Sequence, residues 1–194
     1  MKKLLLTAIA LVASSSAAHA SNIPVLDTVT QVGSVFEFSY SGTLAGDTGL
    51  VAGNQLVIFD FGGYVDGSIS AGIYAADLDA LVEFTSALLP PPGQTDDPTI
   101  QNLVFKWKGA PFNASGGPFP DVSFAGLTAR SSFSTVVLDG YAAVTQINNG
   151  AASGRPAFNS GEVGVPVPEP STAGLVLLGL VGAALRARRG HAGA

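Results

Sequence analysis

Between residues 32 and 147 the hydrophobic positions fall in short runs, many of them alternating with polar ones. Val32-Gly-Ser-Val-Phe-Glu-Phe-Ser-Tyr40 sets Phe36, Phe38 and Tyr40 against Val35, Glu37 and Ser39. A period of two predicts a half-buried strand with an aromatic inner face. Gln55–Phe61 predicts a second strand, turned by Gly62-Gly63 toward Tyr64-Val65. Asn102–Lys108 is the cleanest alternation, with Leu103, Phe105 and Trp107 on one side and Asn102, Val104, Lys106 and Lys108 on the other. Pro120–Gly126 and Ser132–Tyr141 predict two more, Ala142–Ile147 continues or follows as another, and Glu162–Val165 reads as a short exit strand. Ala75–Leu89 is ambiguous. Leu78, Leu81, Val82 and Leu88 have helical spacing ahead of Pro90-Pro91-Pro92, yet Leu81–Thr85 reads as a strand, and its neighbours tip the expectation to strand. Loops are expected at 44–54, 89–99 and 109–121. Seven or eight short strands with glycine-rich turns predict an all-β domain, a β-sandwich or jelly roll.

The two ends follow another pattern. Lys2 and Lys3 precede the apolar run Leu4–Ala13, and Ala18-His19-Ala20 supplies a small-residue cleavage site, so residues 1–20 read as a secretory signal peptide cut after Ala20. An uncleaved anchor is the alternative, disfavoured by the short apolar stretch. Near the other end, Pro168-Glu169-Pro170 must be extended, because each proline pushes its predecessor out of the α region. The uncharged run Ser171–Leu185 then predicts an apolar helix, closed by Arg186, Arg188 and Arg189. From residue 171 to 187 such a helix is roughly 25 Å long against a hydrocarbon core of roughly 30 Å, a mismatch that a snorkelling Arg186 relieves. Gly174, Gly179 and Gly182 would admit a second helix at close range.

Residues 165–194 resemble the PEP-CTERM sorting signal of Gram-negative bacteria, in which a Pro-Glu-Pro motif, a short transmembrane helix and an Arg cluster follow in this order. The extension Gly190–Ala194 departs from that pattern only slightly. The resemblance implies that an exosortase, a membrane transpeptidase, recognises the Pro-Glu-Pro region and removes the helix. It also implies a protein co-expressed with exopolysaccharide, with a part in a biofilm matrix. A permanent tail anchor is the competing reading of the same segment. The expected organisation is a signal peptide at 1–20, an all-β extracytoplasmic domain at 21–164, and the sorting signal at 165–194. The expected partners are the secretion translocon, the exosortase and exopolysaccharide. The protein would be held briefly in the inner membrane before reaching the cell surface or medium.

Charge and composition narrow what the exported domain can do. Five of the nine basic residues lie in the terminal signals, leaving Lys106, Lys108, Arg130 and Arg155 against fourteen acids, a net charge of −10. Such a surface repels nucleic acid. There is no cysteine, and the only histidines, His19 and His191, lie in the segments expected to be removed. That leaves no His-dependent triad and no imidazole zinc site, so an enzyme is not expected, and no catalytic residue, metal site or cofactor is assigned. Asp60-Phe61-Gly62 spells a kinase metal motif without the rest of a kinase and reads as a strand end with a turn. Asp77 with Asp79, and Asp96 with Asp97, lack the spacing of a calcium loop and read as solvated acids. Trp107 is expected in the core, with Lys106 and Lys108 facing water. A structural or interaction protein is the leading expectation. A carbohydrate- or Ca²⁺-binding module and a carboxylate-based glycosidase are the alternatives.

Overall fold

Thr135–Ile147 is the strand on which most of the architecture hangs, and three others pair with it. The computed structural model describes residues 22–168. The strands in chain order are β1 (Asn22–Val32), β2 (Val35–Leu44), β3 (Thr48–Gly49), β4 (Gln55–Ile58), β5 (Leu78–Glu83), β6 (Asn102–Trp107), β7 (Val122–Ser131), β8 (Thr135–Ile147) and β9 (Pro156–Val167). Two single-turn 3₁₀ helices, Gly72–Tyr74 and Gly150–Ala152, interrupt the connections. Every pairing is antiparallel. One edge of β8 carries β9 over its whole length, from Thr135↔Val167 to Gln146↔Pro156. The other carries β4 and then the short β3, and the sheet continues through β6 to β5. The smaller sheet has the order β1-β2-β7.

The fold is all-β, with its two sheets packed face to face. Phe38, Tyr40, Leu127 and Ala129 of the smaller sheet share one core with Leu56, Ile58, Leu103, Phe105, Tyr141, Ala143, Val163 and Val165 of the larger. The aromatic face predicted for β2 is there: Phe38 and Tyr40 are fully buried, and Phe38 meets Phe61 edge-on at 5.4 Å between ring centres. Phe36, at the strand's start, is only half-buried. The Tyr40 hydroxyl donates to the Gly164 carbonyl at 3.0 Å, tying β2 to β9 across the core. Opposite charges face each other along the strands. Arg130 Nε meets Glu37 Oε2 at 3.0 Å in the pair Glu37↔Arg130, and Lys108 reaches Asp79 at 2.7 Å.

The alternation expected in β6 is not what forms. Leu103 and Phe105 are buried as predicted, but Asn102 and Val104 are buried as well. The reason lies in the segment between β5 and β6, which crosses the outer face of the larger sheet. Leu88 packs there on a second cluster of Val57, Phe59, Val104 and Ala142. Gly140 allows the segment to come this close, since a Cβ there would meet Gln94 Oε1 at 2.5 Å and Pro91 Cδ at 2.8 Å. The ambiguous stretch 75–89 contains β5 as a strand. Three differences concern boundaries. β1 was not foreseen, β3 lies inside the expected loop 44–54, and β9 runs from Pro156 through Val167, past the boundary expected at 164. The signal peptide with Ala18 and Ala20, the apolar run 171–187 and Arg186, Arg188 and Arg189 lie outside the described residues, as do Glu169 and Pro170. Among the described residues no helix is long and apolar enough to cross a membrane.

Candidate functional site

Three places carry more than packing. The first is where the chain leaves the larger sheet. Val165, Pro166 and Val167 pair with Val137, Val136 and Thr135, and the Pro166 carbonyl accepts from Gly62 N at 3.1 Å. A proline is tolerated here because β9 is an edge strand, where its missing N–H interrupts no ladder. Pro168 is the first residue beyond the pairing. Three residues separate Val167 from Ser171, so the four Cα–Cα steps of an extended chain there span at most about 14 Å.

Residues 166–189 match the family model of the PEP-CTERM protein-sorting motif. The chain carries a PEP-CTERM sorting motif. The match takes in Pro168, Glu169 and Pro170 and reaches Arg189, so it spans the proline-bracketed acid, the apolar run and the arginines together. No curated protein and no solved structure gives a significant match to the chain. The PEP-CTERM motif implies processing by an exosortase, a membrane enzyme, and is consistent with export through a membrane. In this protein the motif begins inside the last paired residues of the β-domain, with no intervening linker.

The second place is a group of acids where the segment 84–101 crosses the sheet. Asp60 has a left-handed backbone with φ 51°, which ends the strand reach of β4 and makes the expected turn. It is 9% exposed, and its Oδ1 accepts from Asp97 N at 3.0 Å. Asn102 Oδ1 accepts from Asp60 N at 2.8 Å, and Asn102 Nδ2 donates to Asp96 Oδ1 at 2.9 Å, so a buried asparagine joins the two acidic stretches. Burial pushes the Asp60 carboxyl up to about 6, and the charges of Asp139, Asp96 and Asp97 push the same way. Burial also raises Asp139, whereas hydrogen bonds from Thr99 lower Asp97. Asp96, expected as a solvated acid, instead accepts from Asn102 and from Ser86 N, whereas Asp97 is exposed as expected and its carboxylate accepts only from Thr99 two residues on. Among the described residues no three His, Cys, Asp or Glu side chains are placed to hold one metal ion.

A raised carboxyl favours the folded state only while it is protonated. The Asp60 contribution is therefore full below its ordinary value of 3.8 and is lost as pH rises through about 6. Asp60→Asn keeps an oxygen for Asp97 N, suits the left-handed backbone and carries no charge. We expect it to stabilise the protein at pH 7 by about 1 kcal/mol, once solvent screening of a carboxyl that still reaches the surface is allowed for. The gain should fade toward pH 4. Thermal unfolding of both proteins across that range checks it, and a gain independent of pH would contradict it.

The third place is a cavity of about 280 Å³ between the sheets, at the end where β1 and β7 begin and β2 and β6 stop. Leu56, Phe105 and Leu127 are buried and form its inner wall, while half-buried Trp107 and exposed Phe112 stand toward solvent. Trp107 is thus not the core residue expected from the alternation. Its ring lies 6.2 Å from that of Phe112, and its Nε1 donates to the Ala110 carbonyl at 3.0 Å. Asn22 also lines the cavity, and its Oδ1 is buried with no hydrogen-bond partner. The strand registers put this cavity and the Pro168 exit at opposite ends of the sandwich: Asn22 pairs with Leu44 at one end, Val32 with Val35 and Thr135 with Val167 at the other. The sequence offered no sign of it, because its walls come from most of the strands and the loops between them.

Proposed function

We propose that the chain is an exported protein sorted by an exosortase, whose β-domain is delivered to the cell surface or the exopolysaccharide matrix as a structural or interaction module. The observation that carries the reading is the PEP-CTERM match, which begins in the last two residues of β9 and runs on from it. The composition supports a non-enzymatic role, since residues 21–168 contain neither histidine nor cysteine and are strongly acidic. An acidic, cysteine-free surface keeps a protein soluble at high local concentration. The signal peptide read at 1–20 supplies entry to the translocon, and the helix read at 171–187 supplies a temporary hold beside the exosortase.

The intact mass of the protein recovered from cell surface and medium tests this. The expected chain starts at Ser21 and ends between Pro168 and Ser171, with or without an added group. A recovered chain that still carries Leu175–Arg189 would be a permanently anchored protein, and the sorting reading would fall.

A further inference from the structure

We propose that the tip of the β1–β2 hairpin, residues 28–36, is a lipid-contacting surface that rests in the headgroup layer of the membrane while the tail is still attached. This holds on the sorting reading above, with the helix read from Ser171 in the bilayer. β1 runs alongside β9 in the same direction. Asn159 Nδ2 donates to the Asn22 carbonyl at 3.1 Å, and further along Leu26 Cδ2 lies 2.7 Å from where a Cβ on Gly164 would stand. Beyond that contact β9 has three residues left, to Val167, whereas β1 has six, to Val32, one of them taken up by the register shift at Asp27. At about 3.3 Å per residue the hairpin overreaches β9 by roughly 7 Å. Ser171 lies at most about 14 Å beyond Val167. The interfacial layer of a bilayer adds about 5–7 Å outside each face of the hydrocarbon. The tip therefore stands at the level of the headgroups, and any bend in Pro168–Pro170 brings it closer.

The tip has the chemistry of that layer. No residue from Thr28 to Phe36 is charged, in a strongly acidic domain, and Val29 and Val32 are exposed. Val32 and Val35 form the last pair, closed by a two-residue turn in which Gly33 has φ 65°. The stretch from Ser131 to Leu138 at the same end is uncharged too, and it exposes Val136, Val137 and Leu138. Behind the tip, Glu37 and Arg130 neutralise each other. The acids of this end stand off from the corner where β1 and β9 meet. Glu83 and Asp66 lie on the opposite edges of the two sheets, in β5 and beside β7, and Asp96 and Asp97 lie on the segment crossing the outer face. Two valines hold lipid weakly by themselves. The tail makes their contact intramolecular, so a weak preference for the interface suffices. Held at the tip and at Ser171, the domain keeps Pro168–Pro170 in one stance toward the processing enzyme, and removal of the tail ends the contact.

The chain has no cysteine, so one introduced thiol reports one place. Ser34→Cys at the tip, and Ser153→Cys in the exposed turn before β9 at the opposite end, would each carry a polarity-sensitive dye. The unprocessed chain, with its tail through Arg189, would be reconstituted into phosphatidylcholine vesicles with and without a quencher at headgroup depth. The dye at residue 34 should shift to the blue and lose emission to the quencher. The dye at residue 153 should keep its aqueous wavelength and stay unquenched. Val29→Asp with Val32→Asp should return the residue-34 dye to its aqueous wavelength, and Val29→Thr with Val32→Thr, which keeps the β-branched shape, should reduce the shift. The thermal transition shows which pair of variants folds as the wild type does. Vesicle-bound chain whose residue-34 dye stays aqueous overturns the proposal and leaves the sorting reading standing. So does an equal shift at both positions, or a shift undiminished in a normally folded pair of variants. A chain that fails to float with the vesicles overturns it together with the inserted helix of the sorting reading.

Discussion

Tyr40→Ala is expected to lower the free energy of unfolding by about 4 kcal/mol, a large share of the roughly 5–15 kcal/mol that holds a domain together. Two separate losses combine. The ring is completely buried between the sheets, so truncating it leaves a hole where both inner faces met. The hydroxyl is the second loss. Burial holds the phenol far above its ordinary range, so it remains a donor at every working pH, and it satisfies the Gly164 carbonyl of β9. Tyr40→Phe separates the two, keeping the ring and abandoning the carbonyl, at a cost of about 1–2 kcal/mol. Urea unfolding of the wild type and both variants reads the division. An unchanged midpoint in Tyr40→Phe would mean that the bond to Gly164 does not tie the sheets.

Tyr40 also shows what the sequence could disclose about this fold. The inner face of β2 was legible because one side of that strand meets the core and the other meets the surface, so period two survives in the residues. In β6 it does not survive as a guide. Asn102 and Val104 look like a solvent face, but the segment carrying Leu88 covers them, and that contact joins residues far apart in the chain. β1 left no periodic trace for the opposite reason. It is an edge strand in which only Pro24 is buried, and the register shift between Leu26 and Thr28 breaks whatever phase it had. The first half of β9 is held by pairing with β8 rather than by burial, and Phe158 in it is largely exposed. The candidate sites divide along the same line. The PEP-CTERM motif is a contiguous signal read by local chemistry, so residues alone revealed it. Asp60 looked like a turn, and it is one, but its burial depends on Asp97 and Asn102 from another part of the chain.

Replacing Pro168, Glu169 and Pro170 together by alanine is expected to abolish processing while leaving the β-domain intact. The domain should survive because the last paired residue is Val167, so the substitutions start one position beyond the sheet. Processing should fail for a conformational reason as well as for lost recognition. Each proline disfavours a helix by about 3 kcal/mol relative to alanine. With both in place, the apolar helix read from Ser171 cannot extend back toward the domain, and the three residues after β9 are kept extended, with their backbone open to a transpeptidase. Alanines remove that stop and let the helix run back toward Val167. Two partial variants separate the contributions: Glu169→Ala keeps the extended backbone without the acid, whereas Pro168→Ala with Pro170→Ala keeps the acid without the stop. The triple variant should accumulate in the membrane fraction at a mass that includes the arginines, with its surface and medium forms reduced to background. If the double proline variant alone reproduces that defect, the motif works chiefly by holding the chain open. If only Glu169→Ala does, the enzyme reads the carboxylate. Normal surface deposition of the triple variant, at the wild-type mature mass save for the substituted side chains, would remove the sorting role of the motif altogether.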